Sequence, residues 1–227
     1  MPKPSVLIFD VNETLLDIES IAPLFGELFG DEGVLRDWFA QLIMYSMALT
    51  LADNYVTFPV LAQGALRMLG DIHRVDVTDD DVDRLKTALL SMPAHPDAAE
   101  GLAALRDNGF RLVTLTNSPP NPDGPTALQS SGLAGYFERQ LSVDARSVFK
   151  PSPAVYRYAC DTIGVAPADC MMVAAHVWDT IGAQSVGFGG ALITRRGNAP
   201  LPVDGVPQPN IVVGDIRELA ERLTSGR

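Results

Sequence analysis

The sequence predicts an α/β fold: a parallel sheet covered by helices on both faces, with a helical subdomain inserted after the first strand. Three observations carry this. Short apolar runs of strand length alternate with helical segments through the second half of the chain. The first such run, at residues 5–9, stands far from the others, and the interval between has helical spacing instead of that rhythm. The chain has 227 residues, 47% hydrophobic and 20% charged, which suits one domain with a smaller insert and excludes global disorder.

Residues 5–9, SVLIF, read as a buried strand ending at Asp10. In the insert, 38–51 (WFAQLIMYSMALTL) is almost uncharged, and 60–69 and 82–90 also read as helices. The 38–51 stretch needs an apolar partner, either the sheet domain or a second subunit. Asp79, Asp80 and Asp81 stand at a helix start, where they suit exposed amides and the helix dipole better than a metal. Residues 97–108 form a helix stopped by Gly109, and FRLVTLTN follows as strand and turn. The pattern then predicts a helix over 122–131, a short segment at 140–143, a helix over 153–163, a strand over 170–175 and a helix over 178–185. A strand at 190–194, a proline-rich loop at 198–209, a strand at 210–213 and a helix at 216–223 complete the chain. The expected division is 1–16 and 92–227 for the sheet core and 17–91 for the helical cap.

The formal net charge of −11 speaks against a general binder of nucleic acid or anionic membrane. Two cysteines and three histidines make no metal framework. Cys160 and Cys170 are expected as buried thiols of a reducing compartment, although one disulfide is arithmetically open. MPKPSVLIFD has no long apolar segment or cleavage site, and no apolar run is long enough to span a bilayer. The expectation is a soluble cytoplasmic protein.

Sites in parallel α/β folds lie at the carboxyl ends of the strands. Asp10, Thr116 with Asn117, and the 176–179 segment each follow an apolar strand, so all three can meet at one sheet edge. Lys150 stands at the entrance of a helix starting at Pro151 or Pro153. A strand-end carboxylate backed by a lysine is a nucleophile candidate once desolvation and fixed donors make it serviceable. Thr14 can hydrogen-bond that carboxylate or the substrate, or simply cap a helix. Thr116 and Asn117 can bind a substrate carboxylate, or form a plain turn.

The segment DVNETLLD, from Asp10 to Asp17, resembles the opening motif of the haloacid dehalogenase superfamily, an apolar strand followed by DxxxT. The other motifs follow in order: Thr116 in LVTLTN, Lys150 in SVFKPSPAVY and Asp179 in AAHVWD. The SVD…KP…VY and HVWD…GA segments are most similar to the L-2-haloacid dehalogenase branch, and the resemblance covers essentially the whole chain. It implies a Rossmann-like core with a helical cap. It makes Asp10 the nucleophile of an ester that water hydrolyses. Lys150 neutralises developing charge, and Asp179 orients that lysine or helps activate the water. Asn117 helps hold the departing halide, Tyr156 matches a pocket tyrosine, and Trp178 is a candidate pocket wall. No metal and no organic cofactor are implied, and a homodimer through the cap is expected.

Position 12 separates two chemistries. Phosphatase members carry a second Asp two residues after the nucleophile, which protonates the leaving group and helps seat Mg²⁺. Asn12 cannot be a general acid, whereas a halide leaves without a proton. Other positions depart from the dehalogenase pattern. Alignment on Trp38 and Tyr45 places Phe39 where a cap arginine abstracts halide, with Arg36 about one turn away as a stand-in. Ala174, Ala175 and His176 replace the usual SSN, and Asn12 and Glu13 replace Tyr and Gly. His176 is then a proton acceptor for water, a cradle with Asn117 for a small leaving group such as fluoride, or a packed neutral histidine.

The expected function is hydrolytic dehalogenation of a small anionic 2-haloalkanoic acid, a haloacetate (fluoroacetate included) or a 2-halopropionate. The alternatives are a Mg-dependent phosphatase-like hydrolase, hydrolysis of another activated carbon–heteroatom bond, and a non-enzymatic sensor or interaction protein.

Overall fold

The structure is a computed structural model that describes residues 4–225. Six strands form one sheet: β1 (Val6–Phe9), β2 (Arg111–Thr116), β3 (Arg139–Ser142), β4 (Cys170–Ala174), β5 (Gly189–Ile193) and β6 (Ile211–Val213). Their order is β3-β2-β1-β4-β5-β6, and every pairing is parallel. The strands β1, β4 and β5 are buried throughout, which explains their unbroken apolar runs: both faces are covered. The chain winds outward from β1 to one edge and returns to place β4 on its other side. The switch between β1 and β4 is where such sheets leave a crevice at the strand ends. Phe9 pairs with both Thr114 and Val173, so Asp10 emerges one step beyond the register, its N–H on Val173 O at 3.0 Å.

The helices α1 (Ala22–Phe29), α2 (Val34–Leu51), α3 (Phe58–His73) and α4 (Asp79–Leu90) lie between β1 and α5 (Ala98–Asp107). Later come α6 (Ala127–Ser130), α7 (Pro153–Ile163), α8 (Val177–Gln184) and α9 (Ile216–Thr224). The three acidic residues at 79–81 form the first turn of α4, where Thr78 and Asp81 close a reciprocal capping box. The helix α1 escaped the periodicity argument, although Pro23 near its start and the left-handed Gly30 after its end marked it. In α2, Trp38, Phe39 and Leu42 are buried, and Trp38 Nε1 donates to Ala62 O at 3.0 Å. Met44, Tyr45 and Leu51 of the same helix are exposed, so the protein's own core covers only part of the 38–51 stretch.

The expected 122–131 helix is a correction. Only the single turn α6 forms, opened by a capping box of Thr126 and Gln129. Pro122 and Pro125 lack the N–H that a helix interior requires, and Gly124 adds backbone freedom, so the segment before Thr126 stays irregular. Cys160 and Cys170 are buried free thiols with sulfurs 3.9 Å apart. Among the described residues, no helix is long and apolar enough to cross a membrane.

Candidate active site

The strand β1 delivers Asp10 to the sheet edge almost completely buried. Lys150 Nζ donates to Asp10 Oδ1 at 2.7 Å, to Asp179 Oδ2 at 2.6 Å and to Leu115 O at 3.0 Å. An ammonium has three protons, so this lysine is fully engaged. Burial pulls the Lys150 pKa down, but Asp10 and Asp179 outweigh it and the net shift is upward. For Asp10, burial pushes the pKa up, while the Lys150 charge and His176 overcome that and hold the carboxyl well below the usual carboxylate range. Asp10 is therefore an ionised, desolvated carboxylate. The Lys150 N–H donates to Asn117 Oδ1 at 3.1 Å, which ties the α7 entrance to the end of β2.

Thr14 does not act as a helix cap. Its hydroxyl donates to Asp10 Oδ2 at 2.7 Å and accepts the Ala175 N–H at 2.8 Å, joining the loop after β1 to the end of β4. Arg195 grips the Thr14 carbonyl through Nε at 3.2 Å and Nη2 at 3.0 Å, and Asp97 holds Arg195 Nη1 at 2.7 Å. Nothing local in the sequence marks that brace.

Asp179 and Tyr156 sit behind the lysine. Asp179 is fully buried, and its Oδ1 accepts from Tyr156 Oη at 2.7 Å. Burial raises the Asp179 pKa, the Lys150 charge opposes, Asp10 adds to the rise, and the net shift is upward. A cavity of about 10 Å³ lies beside Asp10, and neither Asp179 nor Tyr156 lines it. Two expectations are corrected here. Tyr156 is not a pocket wall, because the first turn of α8 carries Asp179 beneath Lys150 and α7 closes Tyr156 over it. Asp179 positions the lysine and, fully buried and absent from the cavity lining, faces no water there.

The cavity is lined by Asp10, Asn12, Phe39, Ile43, Phe58, Thr116, Asn117, His176 and Trp178. Four of these, Asn12, Phe39, Phe58 and Thr116, also line a cleft of about 720 Å³ that residues of α2, α3 and α4 help enclose. Asn12 Nδ2 stands 3.5 Å from Ser118 Oγ, and Thr116 Oγ1 accepts the Ser118 N–H at 3.1 Å. The Trp178 ring centre is 5.8 Å from Lys150 Nζ. Ile43 and Phe58 were missed from the sequence, where an apolar cap residue looks the same whether it faces the core or a cavity.

His176 precedes α8 and is buried, its ring centre 5.0 Å from that of Trp178 and 5.5 Å from that of Phe39. Its Nε2 is 2.7 Å from Glu13 Oε2. Its Nδ1 has no hydrogen-bond partner and lies 3.7 Å from Asp10 Oδ2. Burial lowers its pKa, yet the nearby Asp10 carboxylate and the hydrogen-bonded Glu13 raise it to about 9. Of the three readings of His176, the packed neutral histidine is the one these two carboxylates disfavour, because they favour the protonated ring. Glu13 is a buried carboxylate with φ 66°. Its Oε1 accepts from Asn198 Nδ2 at 2.8 Å and pairs with Arg36. Burial raises the Glu13 pKa, and His176 and Arg36 more than reverse that. Arg36 also pairs with Glu19 and donates to Arg196 O at 3.0 Å. It does not line the cavity, so the halide stand-in is corrected as well: one turn from Phe39, α2 aims Arg36 at the two glutamates.

The model of one hydrolase family, described as haloacid dehalogenase-like hydrolase, matches residues 4–187. The chain belongs to the haloacid dehalogenase-like hydrolases. Among the relatives of this hydrolase is (S)-2-haloacid dehalogenase 4A of Burkholderia cepacia, 32% identical over 195 residues, spanning 85% of this chain and 84% of that one. Another is (S)-2-haloacid dehalogenase 1 of Pseudomonas sp. (strain CBS-3), 31% identical over 225 residues and 96% of each chain. The solved structure of L-2-haloacid dehalogenase from Xanthobacter autotrophicus with chloropropionic acid covalently bound matches at a TM-score of 0.85 and 25% identity. That match covers 98% of this haloacid dehalogenase-like hydrolase and 99% of that chain.

Proposed function

We propose that this hydrolase cleaves the carbon–halogen bond of small 2-haloalkanoic acids, haloacetates or 2-halopropionates, and releases the 2-hydroxy acid. The observation that carries the reading is the ionised, buried Asp10 facing a cavity in which Asn12 stands two residues on. Asp10 attacks C2 from behind the halogen, inverting that carbon where it is stereogenic. The halide leaves without a proton, so no acid is needed at position 12. The Asp10 ester is then hydrolysed. Lys150 stabilises the carboxylate nucleophile and the charge that develops as the ester turns over. Thr116 and Asn117 bind the substrate carboxylate, and the lysine N–H on Asn117 Oδ1 fixes which way that amide points. Residues 17–91 act as a cap whose Phe39, Ile43 and Phe58, with Trp178, give the cavity apolar walls that exclude water.

No metal or organic cofactor takes part in this reading. The deciding experiment is a single turnover in oxygen-18 water, with halide and hydroxy acid measured across fluoro-, chloro- and bromoacetate and both 2-chloropropionates, with and without EDTA. Label entering Asp10 first, with EDTA-resistant turnover, supports the ester route. Label appearing in all of the product and none in the protein contradicts it. The exposed Met44, Tyr45 and Leu51 of α2 support a homodimer through the cap, which sedimentation of the wild type and Leu51→Glu tests. Two free buried thiols suit the reducing cytoplasm.

A further inference from the structure

We infer that Glu13 and His176 form a carboxylate–histidine dyad whose Nδ1 takes the proton from the water that hydrolyses the Asp10 ester. The inference rests on the ester route proposed above. A base for that water must face the space beside Asp10, hold a free nitrogen or oxygen there and be fixed in orientation. His176 meets all three conditions. Nδ1 is buried, unpartnered and 3.7 Å from Asp10 Oδ2. Both residues line the cavity of about 10 Å³, which matches the space of about one water molecule. Once the ring is neutral, Glu13 Oε2, 2.7 Å from Nε2, keeps the single hydrogen on that nitrogen and leaves Nδ1 for the cavity. Phe39 and Trp178 clamp the ring.

Other bases are accounted for. Asp10 is itself the ester, and Asn12, Thr116 and Asn117 do not titrate in the working range. Asp179 is fully buried behind Lys150 and does not line the cavity. Glu13 also carries a mark of constraint. A non-glycine residue with positive φ is strained by about 1 kcal/mol or more. Here that residue carries a buried carboxylate held by Arg36 and Asn198 as well as His176.

The charges around His176 make it a donor and an acceptor in turn. Asp10 and Glu13 face it directly, Arg36 lies beyond Glu13, and Lys150 stands across the Trp178 ring. With Asp10 ionised, the ring holds two protons. Ester formation removes the negative charge nearest Nδ1, so that nitrogen's proton affinity falls and its proton passes to solvent after the halide has left as an anion. The water oxygen then bonds to Cγ of Asp10 while one water proton moves to Nδ1. The bond from Cγ to the ester oxygen breaks, and the departing alkoxide takes that proton to become the hydroxy acid. Asp10 is left as a carboxylic acid, whose remaining proton passes to Nδ1 and restores the starting pair.

The test uses His176→Gln and Glu13→Gln in single turnovers with chloroacetate, reading chloride, glycolate and intact protein mass. In His176→Gln, glycolate release should fall about a hundred-fold or more, the usual range for loss of a general base, while first-turnover chloride falls far less. The protein should then accumulate the mass of a carboxymethyl group. In Glu13→Gln, the pH at which glycolate release reaches half its plateau should move down, because the imidazole loses its anionic partner. A purely structural role for Glu13 would not move it. Chloride and glycolate falling together without ester accumulation, or an unmoved pH profile in Glu13→Gln, overturns the dyad. Wild type that, in a single turnover in oxygen-18 water, puts the label in the glycolate and none in Asp10 overturns the ester route itself, a different and recognisable outcome.

Discussion

Tyr156 Oη donates to Asp179 Oδ1 at 2.7 Å, and both side chains are fully buried behind the nucleophile. The tyrosine thereby divides the Asp179 carboxylate, one oxygen for itself and one for Lys150. Tyr156→Phe would leave a buried acceptor without its donor. It should lower stability by about 1–3 kcal/mol in urea denaturation. Asp179 would then draw Lys150 harder, away from Asp10, so kcat should fall by about tenfold with KM nearly unchanged. A rise in KM with unchanged kcat would place Tyr156 in substrate binding instead.

Lys150→Met should be far more damaging. The lysine is a buried cation shared by two carboxylates at 2.7 and 2.6 Å. Without it, one carboxylate takes up a proton and Asp10 loses the charge that keeps it ionised. Loss of one partner from a buried ion pair costs about 3–5 kcal/mol. Intact mass spectrometry after exposure to bromoacetate should show no ester, and chloride or bromide release should fall to background.

Asp10, Lys150 and Asp179 were legible because each follows a strand or opens a helix, and parallel sheets converge such positions at one edge. The role of Glu13 was not. Its partners Arg36 and Asn198 lie 23 and 185 residues away, one on a cap helix and one in a loop. Neither local periodicity nor motif spacing reports a pairing of that kind. Tyr156 failed for a related reason: its place on α7 could be read, but not which side of Lys150 that helix face meets. The 122–131 segment failed locally, because the apolar residues near 127 outweighed the prolines before them.

Two glycines in helices separate close packing from helix propensity. A Cβ on Gly182 would meet Pro151 Cβ at 2.6 Å, Tyr156 Oη at 2.7 Å and the Pro151 carbonyl at 2.8 Å. Gly182→Ala should therefore destabilise by about 1–3 kcal/mol and lower kcat by displacing Tyr156. A Cβ on Gly64, exposed within α3, meets nothing within 4 Å. Gly64→Ala should stabilise by up to about 1 kcal/mol, with activity unchanged. Thermal melts of the two variants should thus shift in opposite directions.

His176 should make stability depend on pH in a defined window. Its pKa in the folded protein, about 9, lies above the ordinary 6.5. Between those values the folded state binds more protons than the unfolded state, so stability falls as pH rises. The contribution is complete below pH 6.5 and gone once pH has passed through about 9. At about 1.4 kcal/mol per unit, the full loss is about 3 kcal/mol. Urea denaturation from pH 6 to pH 10 should show that decline in the wild type. His176→Gln should flatten the curve in the same window, because its side chain carries no titrating proton. Glu13→Gln should leave part of the decline, since Asp10 still faces Nδ1 at 3.7 Å. An equal decline in wild type and His176→Gln would assign the titration to another group and remove the charged imidazole from the account of the site.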